Sequence, residues 1–129
     1  YESLEKIKSA GLKIGLATSS ANRILKEVLE KLEIGSYFDA VHSAEDEIHG
    51  KPHPAVFLTA AQKLDINPLE CLVIEDSVNG VVAAKAARMK VIAIPEKSHD
   101  YDKRLVLADQ ILSSLVHFDL SEAKHLWDE

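Results

Sequence analysis

Apolar positions along the chain alternate between short runs and helical stripes. Leu4, Ile7 and Ala10 recur at helical spacing and stop at Gly11, a common C-terminal signal. Leu12-Lys13-Ile14-Gly15-Leu16-Ala17 is a mostly apolar run that predicts a strand. It ends in Thr18-Ser19-Ser20, and Ile24, Val28, Leu29 and Leu32 then predict a helix. Phe38 to Ser43 predicts a second strand. Pro54 to Leu64 predicts a helix with Pro54 in its first turn and Val56, Phe57, Ala60, Ala61 and Leu64 inward. Cys71-Leu72-Val73-Ile74 has no polar face before Glu75-Asp76-Ser77, as suits a strand covered by helices on both sides of a parallel sheet. Val78 to Met89 reads as a helix whose small residues at 83, 84, 86 and 87 let it lie close to that sheet. Val91 to Ile94 is a further strand, stopped by Pro95, and Glu96 to Arg104 is a polar surface loop. Ala108 to Leu112 is a last edge strand, and Ser121 to Trp127 a terminal helix capped by Ser121 and anchored by Trp127. The alternation predicts an α/β domain with a largely parallel sheet and helices on both faces.

Composition narrows the function classes. The 129 residues are enough for one domain with a core and too few for two, and 47% apolar with 28% charged residues is ordinary globular usage. Fifteen Lys and Arg against 21 Asp and Glu give a net charge of −6, the wrong sign for a general nucleic-acid binder. The single cysteine, Cys71, has no internal disulfide partner and fits a reducing compartment, so a cytoplasmic location is expected. No apolar stretch approaches the roughly 18 residues that span a bilayer, so neither a membrane partner nor a secretory leader is expected.

Ligands of open parallel sheets gather where strands lead into helix N-termini. Two clusters occupy such places. The hydroxyls and N–H groups of Thr18-Ser19-Ser20 can receive an anion such as phosphate; capping of the following helix is the alternative. Glu75 and Asp76 follow an uncharged strand. Two adjacent carboxylates repel each other unless a cation such as Mg²⁺ shares them, and again an N-cap is the alternative. Gly80, inside the next helix, costs about 1 kcal/mol relative to Ala and implies close approach of another group. Between the clusters, the prolines of His49-Gly50-Lys51-Pro52-His53-Pro54 stiffen the turn around Lys51. An ammonium held there can meet carboxylates or a phosphate, or be a solvated charge. His49 and His53 flank Pro52 in a turn rather than sharing a helix face, which argues against zinc.

Taken together, Leu16-Ala17-Thr18-Ser19-Ser20, Gly50-Lys51-Pro52-His53-Pro54 and Ile74-Glu75-Asp76-Ser77-Val78-Asn79-Gly80 resemble the second, third and fourth motifs of the haloacid dehalogenase (HAD) superfamily. The resemblance is to its β-phosphoglucomutase-like phosphosugar phosphatases, the branch of the bacterial 2-deoxyglucose-6-phosphate and hexitol phosphatases. It implies a Rossmann-like core and Mg²⁺-dependent phosphoryl transfer from a small sugar or sugar-alcohol phosphate to water through an aspartyl-phosphate intermediate. By motif match, Thr18 would hydrogen-bond the transferring phosphoryl group and Ser19 and Ser20 would add donors. Lys51 would neutralise phosphate charge, and Asp76 would ligate Mg²⁺ with Glu75 beside it.

The superfamily's first motif, a strand followed by Asp-x-Asp, does not occur in this sequence. Asp100 and Asp102 form Asp-Tyr-Asp in a polar loop with no preceding strand and do not substitute. Residues 1–129 are therefore expected to be the C-terminal portion of one HAD-like core domain, without the cap and without the central first strand. That strand would lie between the strands ending at Thr18 and Glu75. The isolated chain is expected to be inactive, and poorly stable unless its strands close up or a second copy donates pairing. A hexose phosphate mutase and a non-catalytic truncated binding or assembly module are the alternatives.

Overall fold

The computed structural model of the protein describes residues 2–96 and 102–128. In chain order the elements are α1 (Glu2–Ser9), β1 (Gly15–Thr18), α2 (Asn22–Leu32), β2 (Ala40–Ser43) and α3 (Ala55–Leu64). They continue with β3 (Leu72–Glu75), α4 (Val78–Ala86), β4 (Lys90–Ala93), β5 (Gln110–Ile111) and α5 (Leu120–Ala123), with 3-10 turns between several of them. Each predicted element is present, and the differences lie at the ends. The loop predicted over 96–104 lies partly outside the described residues.

Two of those differences have clear causes. Glycine ends only α1, where Gly11 has φ 78°; Glu33, Asp65 and Arg88 adopt left-handed φ of 55°, 57° and 67° after α2, α3 and α4. In that conformation each residue turns its N–H back onto a late helix carbonyl, as Arg88 does onto Lys85 at 3.0 Å. That is why α4 stops at Ala86 and not at Met89. The last helix is capped by Asp119 rather than by Ser121, because the Asp119 carboxylate accepts from the Ser121 N–H at 2.9 Å and from its hydroxyl at 2.7 Å. A 3-10 turn, Lys124–Trp127, follows it, and the Trp127 indole donates to the Leu69 carbonyl at 2.7 Å, anchoring the end of the chain.

Every ladder among the described residues is parallel, and there are two sheets. β1 pairs with β2 in the register Thr18↔Ser43, while β3 pairs with β4 and β4 with β5. No ladder joins β1 to β3. The division falls where the resemblance puts an additional strand.

α3 joins the two sheets, since it packs on β1 and β2 and also meets α4. Its Val56 and Phe57 enter one core cluster with Val81, Met89, Val91 and Leu105. Ala83 and Ala84 are wholly buried, as close packing of α4 requires, whereas Ala86 faces solvent. Ile74 departs from the expectation of a strand covered on both faces: it is 40% exposed because it looks onto the cavity between the sheets. Among the described residues no helix is long and apolar enough to cross a membrane.

Candidate active site

A cavity of about 850 Å³ opens between the sheets. Thr18, Ser19 and Ser20 line it from the end of β1, Lys51 from the turn before α3, and Glu75 and Asp76 from the end of β3. All six candidate residues, drawn from three separate stretches of sequence, therefore share one space.

Lys51 is not a solvated surface charge. Its ammonium lies 3.0 Å from Glu75 Oε2, the two side chains are only 10% and 11% exposed, and Nζ sits 4.8 Å above the Phe57 ring. The other Glu75 oxygen accepts from the Asp76 N–H at 3.1 Å and from the Ser77 hydroxyl at 3.3 Å. Gly80 is the group that makes room for this carboxylate, since a Cβ there would come 1.9 Å from Glu75 Cδ. Burial acts to raise the Glu75 pKa, but the Lys51 charge and the bonds from Lys51 and Asp76 outweigh it and leave it below the ordinary value. Asp76 moves the other way. Its hydrogen bond to Glu75, then burial and the Glu75 charge, raise its pKa. Within the pair, Glu75 therefore gives up its proton more readily than an ordinary carboxyl and Asp76 less readily.

The capping alternatives resolve differently at the two clusters. At α4 the N-cap is Ser77, whose hydroxyl accepts from the Gly80 N–H at 3.0 Å, so Asp76 does not cap the helix. At α2 no hydroxyl of the Thr18–Ser20 loop caps the helix. The N-cap position is Ala21, and the Asn22 N–H donates instead to Glu45 at 2.5 Å. Thr18 Oγ1 accepts from the Ser20 N–H at 3.0 Å, which keeps the loop tightly turned.

Sequence reasoning passed over several groups. Arg104, read as part of a surface loop, lines the same cavity. Asp102 holds its guanidinium at 2.6 Å, and bonds from the Arg104 side chain and N–H take the Asp102 pKa down to about 2. Asp100 and Tyr101 of the Asp-Tyr-Asp triplet lie outside the described residues. His42 is buried between Glu47, 2.7 Å from its Nε2, and the Lys63 ammonium, 3.0 Å from its Nδ1. Nothing in its sequence neighbourhood shows this, because Lys63 arrives from α3. His49 and His53, weighed above as a zinc pair, lie with ring centroids 5.1 Å apart and planes tilted by 35°, and His53 Nδ1 accepts from the Ala55 N–H at the start of α3.

No three His, Cys, Asp or Glu side chains gather into a metal cage among the described residues. Mg²⁺ does not need one: it commonly uses one or two carboxylates, waters and a substrate phosphate. The Glu75–Asp76 pair, with its raised Asp76 pKa, fits that donor set.

Residues 1–94 match the haloacid dehalogenase-like hydrolase family, and the chain belongs to it. It is 46% identical over 114 residues to hexitol phosphatase B of Escherichia coli, covering 88% of this chain and 51% of that protein. It is 39% identical over 89 residues to the beta-phosphoglucomutase of Bacillus subtilis, covering 69% of this chain and 38% of that protein. Among solved structures, a beta-phosphoglucomutase from Clostridium difficile superimposes with a TM-score of 0.84 at 32% identity, covering 97% of this chain and 53% of the other. The chain thus spans about half the length of the hexitol phosphatase it matches.

Proposed function

We propose that this chain is the C-terminal portion, residues 1–129, of the core domain of a Mg²⁺-dependent phosphatase that hydrolyses small sugar or sugar-alcohol phosphates through an aspartyl-phosphate intermediate. The observation that carries the reading is the convergence of Thr18, Ser19, Ser20, Lys51, Glu75 and Asp76 on one cavity. The hexitol phosphatase relative supports the substrate class. The nucleophile would come from a strand outside these residues, seated between β1 and β3, so residues 1–129 alone turn nothing over.

The residues divide the work of phosphoryl transfer, which is chiefly positioning and charge stabilisation. The Thr18 hydroxyl donates to a phosphoryl oxygen, and Ser19 and Ser20 supply further donors. Lys51, held in place by Glu75, balances the negative charge. Mg²⁺ held by Asp76, with Glu75 directly or through water, would add charge neutralisation on the phosphoryl group. The net charge of −6 fits a small phosphorylated substrate better than nucleic acid, and the free Cys71 fits a reducing, cytoplasmic setting.

The beta-phosphoglucomutase relative favours a second reading, transfer of the phosphoryl group back to the sugar. Product analysis of the whole protein with hexitol 6-phosphates and hexose 1-phosphates separates the two. Free phosphate is expected; an isomerised sugar phosphate as sole product establishes the mutase, and tight Mg²⁺ or phosphosugar binding without turnover establishes a binding module.

A further inference from the structure

The Thr18–Ser20 loop is held by something other than apolar packing. Its upstream end is fixed by the β1–β2 ladder, but its downstream end runs into α2, and α2 is loosely seated. Leu25 is the buried residue of that helix, while Ile24, Val28 and Leu32 are 45%, 44% and 47% exposed. The loop's far end is tied instead to the end of β2. Ser43, wholly buried and paired in register with Thr18, donates from Oγ to the Ser20 carbonyl at 2.5 Å and accepts from the Glu45 N–H at 3.0 Å. Glu45 in turn accepts from the Asn22 N–H at 2.5 Å, and Asp46 from the Asn22 side-chain amide at 3.2 Å.

We infer that Ser43 is a positioning residue for phosphoryl binding: its hydroxyl, bonded to the Ser20 carbonyl and to the turn that carries Glu45, sets the orientation of the Thr18–Ser20 loop. The inference rests on reading that loop as the phosphoryl-binding element. Because a peptide unit is planar, fixing the Ser20 carbonyl fixes the Ser20–Ala21 peptide plane. Glu45 then holds the first N–H of α2. The loop is thereby clamped on both sides by residues that do not line the cavity.

The test uses the whole protein and two substitutions at Ser43. Ser43→Ala removes the hydroxyl. Ser43→Cys keeps nearly the same volume with a much weaker donor and guards against a folding failure. Misplacement of about 1 Å costs on the order of a hundredfold, so kcat on a sugar-alcohol phosphate is expected to fall about 10- to 100-fold with KM within about twofold. Thr59→Val is the control. It deletes a 2.6 Å bond to Glu47 in the neighbouring network without touching the loop, and kcat is expected to stay within about twofold. Unchanged kcat in Ser43→Cys, or an equal loss in Thr59→Val, overturns the inference.

Titration with inorganic phosphate, read from the Ser19 and Ser20 amide resonances, gives a readout independent of turnover. Ser43→Cys is expected to weaken the response about tenfold, and Thr59→Val to leave it unchanged. Equal responses overturn the inference. A wild-type protein inactive on every phosphosugar, yet showing the Ser43-dependent response, removes the substrate assignment and leaves the inference standing. No response in the wild type removes both.

Discussion

The two sheets that flank the cavity are held together by different physics. Around β3, β4 and β5 the structure is apolar and closed, with Val81, Val91 and Ala93 wholly buried and Ile92 1% exposed. Around β1 and β2 it is fastened by polar bonds. Lys8 reaches Asp39 at 2.8 Å, His42 links Glu47 and Lys63, and Ser43 ties the end of β2 to the end of β1, while α2 leaves an apolar stripe half in solvent. The comparison shows how a site can be built on unequal supports. The apolar half carries the buried Glu75 carboxylate, and the polar half carries the Thr18–Ser20 loop. Lys51 spans the two.

The largest effect is expected where the halves meet. Lys51→Ala removes the proposed phosphate partner and strands Glu75 in a buried setting. It is predicted to lower kcat about 10²- to 10³-fold in the whole protein and to destabilise it by about 3–5 kcal/mol in urea unfolding. Adding Glu75→Gln is predicted to restore much of the stability and none of the turnover, which separates the two roles of the lysine.

Truncations within each half sharpen the contrast. Ile92→Ala is predicted to cost about 2–5 kcal/mol, because the side chain is enclosed. Val28→Ala, on the exposed stripe of α2, is predicted to change stability by no more than about 0.5 kcal/mol. Similar costs at both positions would contradict the division into an apolar and a polar half.

Gly80→Ala sets two effects against each other. Helix propensity favours Ala by about 1 kcal/mol. The added Cβ, however, must displace a Glu75 side chain that is anchored by Lys51, Asp76 and Ser77, an overpacking penalty of about 1–3 kcal/mol. The clash is predicted to win, with net destabilisation by urea unfolding and reduced turnover.

The polar half should also respond to pH. Bonds from Thr59 and then His42 hold the Glu47 pKa below its ordinary value of 4.5. A carboxyl lowered in the folded state contributes stability that is fully present above 4.5 and is lost as the pH falls through the lowered folded value. Glu47→Gln is therefore predicted to lower stability at neutral pH and to flatten its fall on acidification below pH 4.5, followed by circular dichroism.

Most of the strand and helix order was legible in the sequence, because in a parallel α/β domain buried runs and amphipathic stripes alternate with polar punctuation. Five of the six candidate residues were legible because they sit where β1 and β3 end, and Lys51 because prolines stiffen the turn that carries it. What pattern could not show came from groups brought in from a distance or from unusual backbone. Helix ends at Glu33, Asp65 and Arg88 carry no glycine signal. Arg104 reaches the cavity from a stretch that reads as surface. The buried bonds of His42 and Ser43 depend on partners from α3 and from the α2 approach, and Ile74 is exposed because the sheets part beside it. Gly80 was half legible: its cost implied a close neighbour, and the neighbour is Glu75.

The central claim is that the two halves form one Mg²⁺-dependent phosphoryl-transfer site. Its most direct test is phosphate release from a hexitol 6-phosphate by the whole protein, with and without Mg²⁺, in the wild type and in Asp76→Asn. The account predicts Mg²⁺-dependent release in the wild type and a loss of about 10²-fold or more in Asp76→Asn that added Mg²⁺ only partly recovers. Release that needs no Mg²⁺, or full activity in Asp76→Asn, would contradict it.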